Sequence, residues 1–134
     1  MRTRAMFVSE VNGEHLRVLG SAVTVKATSD DTGGAVEWVI IESRHGADVE
    51  LHRHPWGESY YILDGTLEVQ VGGRKHQATA GAFVMIPPRA LHGFHVVSDT
   101  ARLASPRGTI HIFESASDCT VTSRLESAVR LTLE

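Results

Sequence analysis

Gly46-Ala47-Asp48-Val49-Glu50-Leu51-His52-Arg53-His54-Pro55-Trp56-Gly57-Glu58 is the stretch on which the reading of this chain turns. His52 and His54 stand two residues apart. On an extended strand such residues share a face, so one metal ion could meet both imidazoles. Pro55 follows at once, lacks a ladder donor and holds His54 in the extended region. Trp56-Gly57 continues the bend and Glu58 opens the next strand, which returns a carboxylate beside the two histidines. His92 lies further on, after Pro87-Pro88, at the start of another inward-facing run. A single histidine is most simply a surface or packed core residue. For this set, spacing, turn residues and carboxylate agree against that reading.

Outward from this stretch the dominant period is two. Residues 22–27 and 36–41 alternate as strands do, and Ser29-Asp30-Asp31-Thr32-Gly33-Gly34 between them is a turn cluster. Residues 59–63 are rich in β-formers. Asp64-Gly65 then has the form of a tight type I′ hairpin, and residues 66–71 alternate again. Gly72-Gly73 is a second two-residue turn before a strand over 74–79, and residues 82–86, 93–98 and 109–114 add three more. Many short strands with frequent turns predict an all-β antiparallel barrel or sandwich. In the tail, Ser123-Arg124-Leu125-Glu126 has the form of a capping box for a short C-terminal helix. Residues 129–133 alternate, so a last strand competes with it.

The length of 134 residues fits one domain. Cys119 is the one cysteine, so no internal bridge forms, which points to a reducing, cytoplasmic setting. No apolar run approaches the roughly 18 residues of a membrane span, and residues 1–8 make a poor signal peptide. The formal net charge is −3 and the basic residues are scattered, which argues against nucleic acid as a partner.

The chain resembles the cupin superfamily. That family's first motif runs Gly, five residues, His-x-His, three or four residues, Glu, six residues, Gly. Gly46, His52, His54, Glu58 and Gly65 stand at every one of those spacings. The second motif runs Gly, five residues, Pro-x-Gly, two residues, His, three residues, Asn. Gly81, Pro87 and His92 match it, whereas Arg89 replaces its glycine and Val96 its asparagine. Fifteen residues, 66–80, separate the motifs, as in compact bacterial single-domain cupins. Val18-Leu19-Gly20, Thr32-Gly33-Gly34 and a late turn at Ser105-Pro106-Arg107-Gly108 look like quercetinase-type small cupins. The likeness covers residues 16–115 and leaves 116–134 as an extension of a single domain. It implies a jelly-roll barrel with one divalent transition metal per chain, held by His52, His54, Glu58 and His92.

Three imidazoles and a carboxylate suit Fe, Mn, Ni, Co, Cu or Zn without choosing among them. Alternation sends Tyr60 and Ile62 inward with Glu58, and Phe94 and Val96 inward with His92, as a mainly apolar pocket wall. Phe83 and Met85 share a face. No inward cluster of lysine or arginine is evident, so a flat aromatic or enolisable substrate fits better than a sugar phosphate. Glu58 could serve as general base as well as ligand. These readings favour a metal-dependent dioxygenase. A redox-neutral isomerase, cyclase or lyase, and a non-catalytic small-ligand binder, are the alternatives. His95 should face away from His92, while His15, His45 and His76 read as surface or turn residues. His111 reads as a packed histidine, Arg89 as a loop arginine and Cys119 as inert. Sheet edges in need of cover, and strand character before Val18, point to a homodimer.

Overall fold

The computed structural model describes residues 4–18 and 20–108. Ten strands account for its regular structure, and no helix occurs among the described residues. They are β1 (Glu14–Val18), β2 (Ser21–Ala27), β3 (Val36–Arg44), β4 (Asp48–His52), β5 (Glu58–Asp64), β6 (Thr66–Val71), β7 (Arg74–Thr79), β8 (Phe83–Ile86), β9 (His92–Val96) and β10 (Thr100–Gly108). They form two antiparallel sheets, one of order β1-β2-β3-β10-β5-β8 and one of order β4-β9-β6-β7. The two packed antiparallel sheets are what the alternation predicts, and their jelly-roll arrangement is what the cupin resemblance implies. The inward positions of both sheets meet in one core, in which Val39, Ile62, Leu67, Val69, Ile86 and Leu103 are almost completely buried.

Three local expectations are corrected. Asp64-Gly65 is not a hairpin, because β5 and β6 belong to different sheets. The dipeptide is the corner where the chain crosses between them. Gly65 takes φ +85°, and a Cβ there would lie 2.2 Å from the Thr100 carbonyl oxygen. A turn propensity reports a sharp change of direction, not which strands pair on either side of it. Ser105-Pro106-Arg107-Gly108 is not a turn either. It is the end of β10, a strand flanked on both sides by β3 and β5. Pro106 faces Trp38 across β3, and the pairing with β5 runs on either side of it, through Ala104↔Tyr61 and Arg107↔Glu58. His52 and His54 do not share one strand, because β4 ends at His52 and His54 lies in the connection to β5.

Gly72-Gly73 does close a hairpin, with Val71 paired to Arg74. Phe83 and Met85 point outward from β8, 63% and 67% exposed. The strand expected over 109–114, His111, Cys119 and the tail lie outside the described residues. Among those described, no helix is long and apolar enough to cross a membrane.

The corner at Gly65 sets a stability test. Gly65→Ala adds a clash with the β10 backbone to the cost of a left-handed L-residue, so a loss of roughly 3 kcal/mol or more is expected. Gly72→Ala, where a Cβ meets nothing within 4 Å, should cost only about 1 kcal/mol. Urea denaturation of both variants checks the order, and equal losses would contradict the crossing geometry.

Candidate metal centre

The cluster forms where the two sheets come together at one end. His52 ends β4 and His92 begins β9, and the two residues are directly opposed in register. The β4–β9 register shifts between Val49 and His52. At this irregularity the strands approach so closely that a Cβ on Gly93 would sit 2.5 Å from the Val49 carbonyl oxygen. A glycine beside His92 is therefore what lets β4 reach it. Glu58 begins β5 in the other sheet, and His54 comes from the connection between sheets.

The His54 ring stacks on Trp56 with centroids 4.2 Å apart and planes 3° from parallel. Its loop is also tied to the turn before β9, where the Arg89 amide donates to the His54 carbonyl at 2.7 Å. Arg89 has φ 68° and is the one non-glycine residue with positive φ among those described. It stands where the second motif carries glycine. Arg89 takes the left-handed conformation there, at a cost of about 1–2 kcal/mol for an L-residue.

His52, His54, Glu58 and His92 each offer a ligand atom, and these atoms lie within 4.8 Å of one another. An ion bonded at about 2.0–2.2 Å sets adjacent donors about 3 Å apart and opposite ones a little over 4 Å apart. Glu58 Oε1 is 2.9 Å from His92 Nε2 and 3.3 Å from His54 Nε2, which is already adjacent spacing. All three rings are oriented in the same way. Nδ1 of His52 donates to the Glu50 carbonyl, that of His54 to Trp56 and that of His92 to Ala90, each at 2.8 Å. A carbonyl can only accept, so Nδ1 carries a proton and Nε2 is turned to the cluster. In His54 and His92 that Nε2 donates to Glu58 when the ring is protonated, and it is the atom a metal takes once that proton is displaced. The residues fit an ion.

Burial alone would raise the Glu58 carboxyl pKa. Hydrogen bonds from His54 and His92, and the charge of Arg107, outweigh it and hold the group well below the usual range. Burial pushes the His52 pKa down. It works the same way on His92, but the bonds to Glu58 and to the Ala90 carbonyl win and the pKa is raised. Tyr60 donates its hydroxyl to Glu58 Oε1 at 3.2 Å. Burial and then the Glu58 charge push that phenol well above its ordinary value.

Of the expected wall residues, Tyr60 reaches the cluster through its hydroxyl and packs edge-on against Phe94, with centroids 5.7 Å apart. Ile62 and Val96 are inward and fully buried in the core. His95 faces outward beside Glu68, as alternation requires, and His15, His45 and His76 are exposed. Two residues at the cluster escaped the sequence reading. Arg107 and Ser105 on β10 both point at Glu58 Oε2, at 3.3 Å and 3.5 Å. Arg107 is a single inward arginine rather than a cluster of them. Alternation along residues 100–108 was the signal, masked by the proline and glycine that made the segment read as a turn.

The cupin domain model matches residues 39–105, and the chain belongs to the cupin family. It is 35% identical over 105 residues to a protein named polyketide synthase CurC from Streptomyces cyaneus, covering 74% of this chain and 64% of that one. It is 30% identical over 94 residues to quercetin 2,3-dioxygenase of Bacillus subtilis (strain 168), covering 69% of this chain and 28% of the enzyme. The chain thus spans less than two-thirds of either relative. A solved RmlC-like cupin from Shewanella frigidimarina superposes with a TM-score of 0.71 at 21% identity, over 82% of this chain and 96% of that one.

In the metal-free protein His92 keeps its proton above the ordinary histidine pKa, and a bound ion must displace it. Calorimetry near pH 6.5, in buffers of different ionisation enthalpy, should show protons released as the ion binds. By the same sign, the His92–Glu58 pair stabilises the metal-free fold at mildly acidic pH. That contribution is lost as pH rises through the raised His92 pKa. Metal uptake with no proton release would contradict the arrangement.

Proposed function

We propose that the chain binds one divalent transition metal through His52, His54, Glu58 and His92 and acts as an enzyme on a small aromatic or enolisable substrate. The observation that carries this reading is the four-donor set, buried but for the half-buried His52, with every imidazole already turned to offer Nε2. Four protein ligands leave coordination positions for substrate oxygen, and the ion would supply Lewis-acid or oxygen chemistry there. Tyr60, Ile62, Phe94 and Val96 are proposed as the pocket wall, whose apolar character suits a flat substrate.

Dioxygenation is the first reading, supported by the 30% identity to quercetin 2,3-dioxygenase. The higher identity and longer match to a polyketide synthase favour a second, redox-neutral cyclisation of a polyketide-type substrate. Both substrates would be aromatic or enolisable. Glu58 is proposed as a ligand through Oε1 that can also swing off the ion to accept a substrate proton on that oxygen, although Arg107 favours the ionised carboxylate and works against basicity.

Untagged protein reloaded with metal should hold close to one ion per chain, and the double variant His52→Ala, His54→Ala should hold none. Screened on flavonols and β-diketones, the loaded protein should consume oxygen. Product without oxygen loss would select cyclisation, and tight binding without product would select a ligand-binding role. Glu58→Gln should retain part of its metal and lose at least about a hundredfold in turnover, the ordinary worth of a general base. Near wild-type turnover would leave Glu58 as a ligand only.

We further propose a homodimer. The outer face of the six-stranded sheet carries a row of Ile40, Ala104, Tyr61 and Phe83 in register across four strands, beside Trp38, Pro106 and Met85. Such an apolar face on an open sheet invites cover. Light scattering should give about twice the 14.6 kDa chain mass. A monomer throughout a dilution series would refute it. A cytoplasmic location rests on the lone Cys119.

A further inference from the structure

β10 sends Ala101, Leu103, Ser105 and Arg107 to the inner face of its sheet, at every second position. Arg107 is directly opposed to Glu37 on β3 and to Glu58 on β5. Its side chain is 15% exposed, and Ser105 is fully buried. The two oxygens of Glu58 are therefore divided between different partners. Oε1 meets His92 Nε2, His54 Nε2 and the Tyr60 hydroxyl at 2.9, 3.3 and 3.2 Å. Oε2 meets Arg107 Nε in an ion pair at 3.3 Å and accepts from the Ser105 hydroxyl at 3.5 Å.

A carboxylate can give a metal one oxygen or both. For Glu58 to give both, Oε2 would have to turn away from β10. That would leave a mostly buried guanidinium facing a cation with the Glu58 oxygen withdrawn from it, which a low-dielectric surrounding opposes. We propose that Arg107, assisted by Ser105, is a positioning residue that keeps Glu58 a one-oxygen ligand through Oε1, so that the position a second oxygen would occupy stays open to substrate. This rests on the reading of the four-residue cluster as a metal centre.

The arrangement predicts the sign of an affinity change. A residue that merely props up the site would weaken metal binding when removed. A residue that withholds a donor oxygen and places a positive charge next to the ion does the opposite. In zinc competition titrations, Arg107→Met should therefore bind metal tighter by about tenfold or more. Arg107→Lys, whose ammonium reaches Oε2 along an unbranched chain, should return to the wild-type value. Unchanged or weaker binding by a folded Arg107→Met would overturn the proposal. Should that variant not fold, a crystal structure of the zinc-loaded wild type decides. Oε1 on the ion with Oε2 still on Arg107 supports the proposal, and both oxygens on the ion overturn it alone. A wild type that takes up no zinc overturns the metal reading and this inference with it.

Discussion

Glu58 is 7% exposed, and a carboxylate that deep in a protein is tolerable only if charge and hydrogen bonds surround it. Around this group the two sheets have to agree. One sheet brings Arg107 and Ser105 to one oxygen. The other brings His92 to the second oxygen, and the connection between the sheets adds His54. Each partner is placed by a distinct device: the inner-face alternation of β10, the close β4–β9 approach at Gly93, and the Pro55-Trp56-Gly57 bend. Remove the carboxylate and these devices converge on nothing. The mostly buried cation on β10 would then lose one of the two carboxylates opposed to it, a cost that removing both partners together avoids.

The division of the Glu58 oxygens also bears on chemistry. Basicity and ligation compete for the same charge. Here the environment favours the ionised form, through two imidazoles and a guanidinium. That makes the carboxylate a dependable ligand and a reluctant proton acceptor. Tyr60 adds a hydroxyl whose proton is held tightly, because the phenolate it would leave would sit in apolar surroundings beside a negative charge.

The donor set was legible because its information is local. His52, His54 and Glu58 fall within seven residues, and proline, tryptophan and glycine between them spell out the bend. The strands were legible from their period, and Gly72-Gly73 from its flanking alternation. What escaped depends on pairing between distant segments. Asp64-Gly65 carries the same local signal as a hairpin, and only the location of β6 in the other sheet shows it to be a corner. Residues 105–108 look like a turn because proline and glycine usually break strands. The pairing with β3 on one side and β5 on the other keeps them extended. Arg107 was hidden by that misreading, since a residue assigned to a turn is not asked which face it occupies. Arg89 shows the converse. The backbone there is left-handed although the glycine of the motif, the residue that makes such a conformation easy, is replaced.

The donors of this cluster come from both layers of the fold and from the span between them. An ion held there is a clasp on the sandwich as well as a cofactor. Whatever free energy it gains by binding the folded chain is added to the stability of that chain by mass action. Separating the layers would first require giving up the ion. Chelation and heat therefore act on one equilibrium, and in a cell the supply of metal would help to set the lifetime of the protein along with its competence.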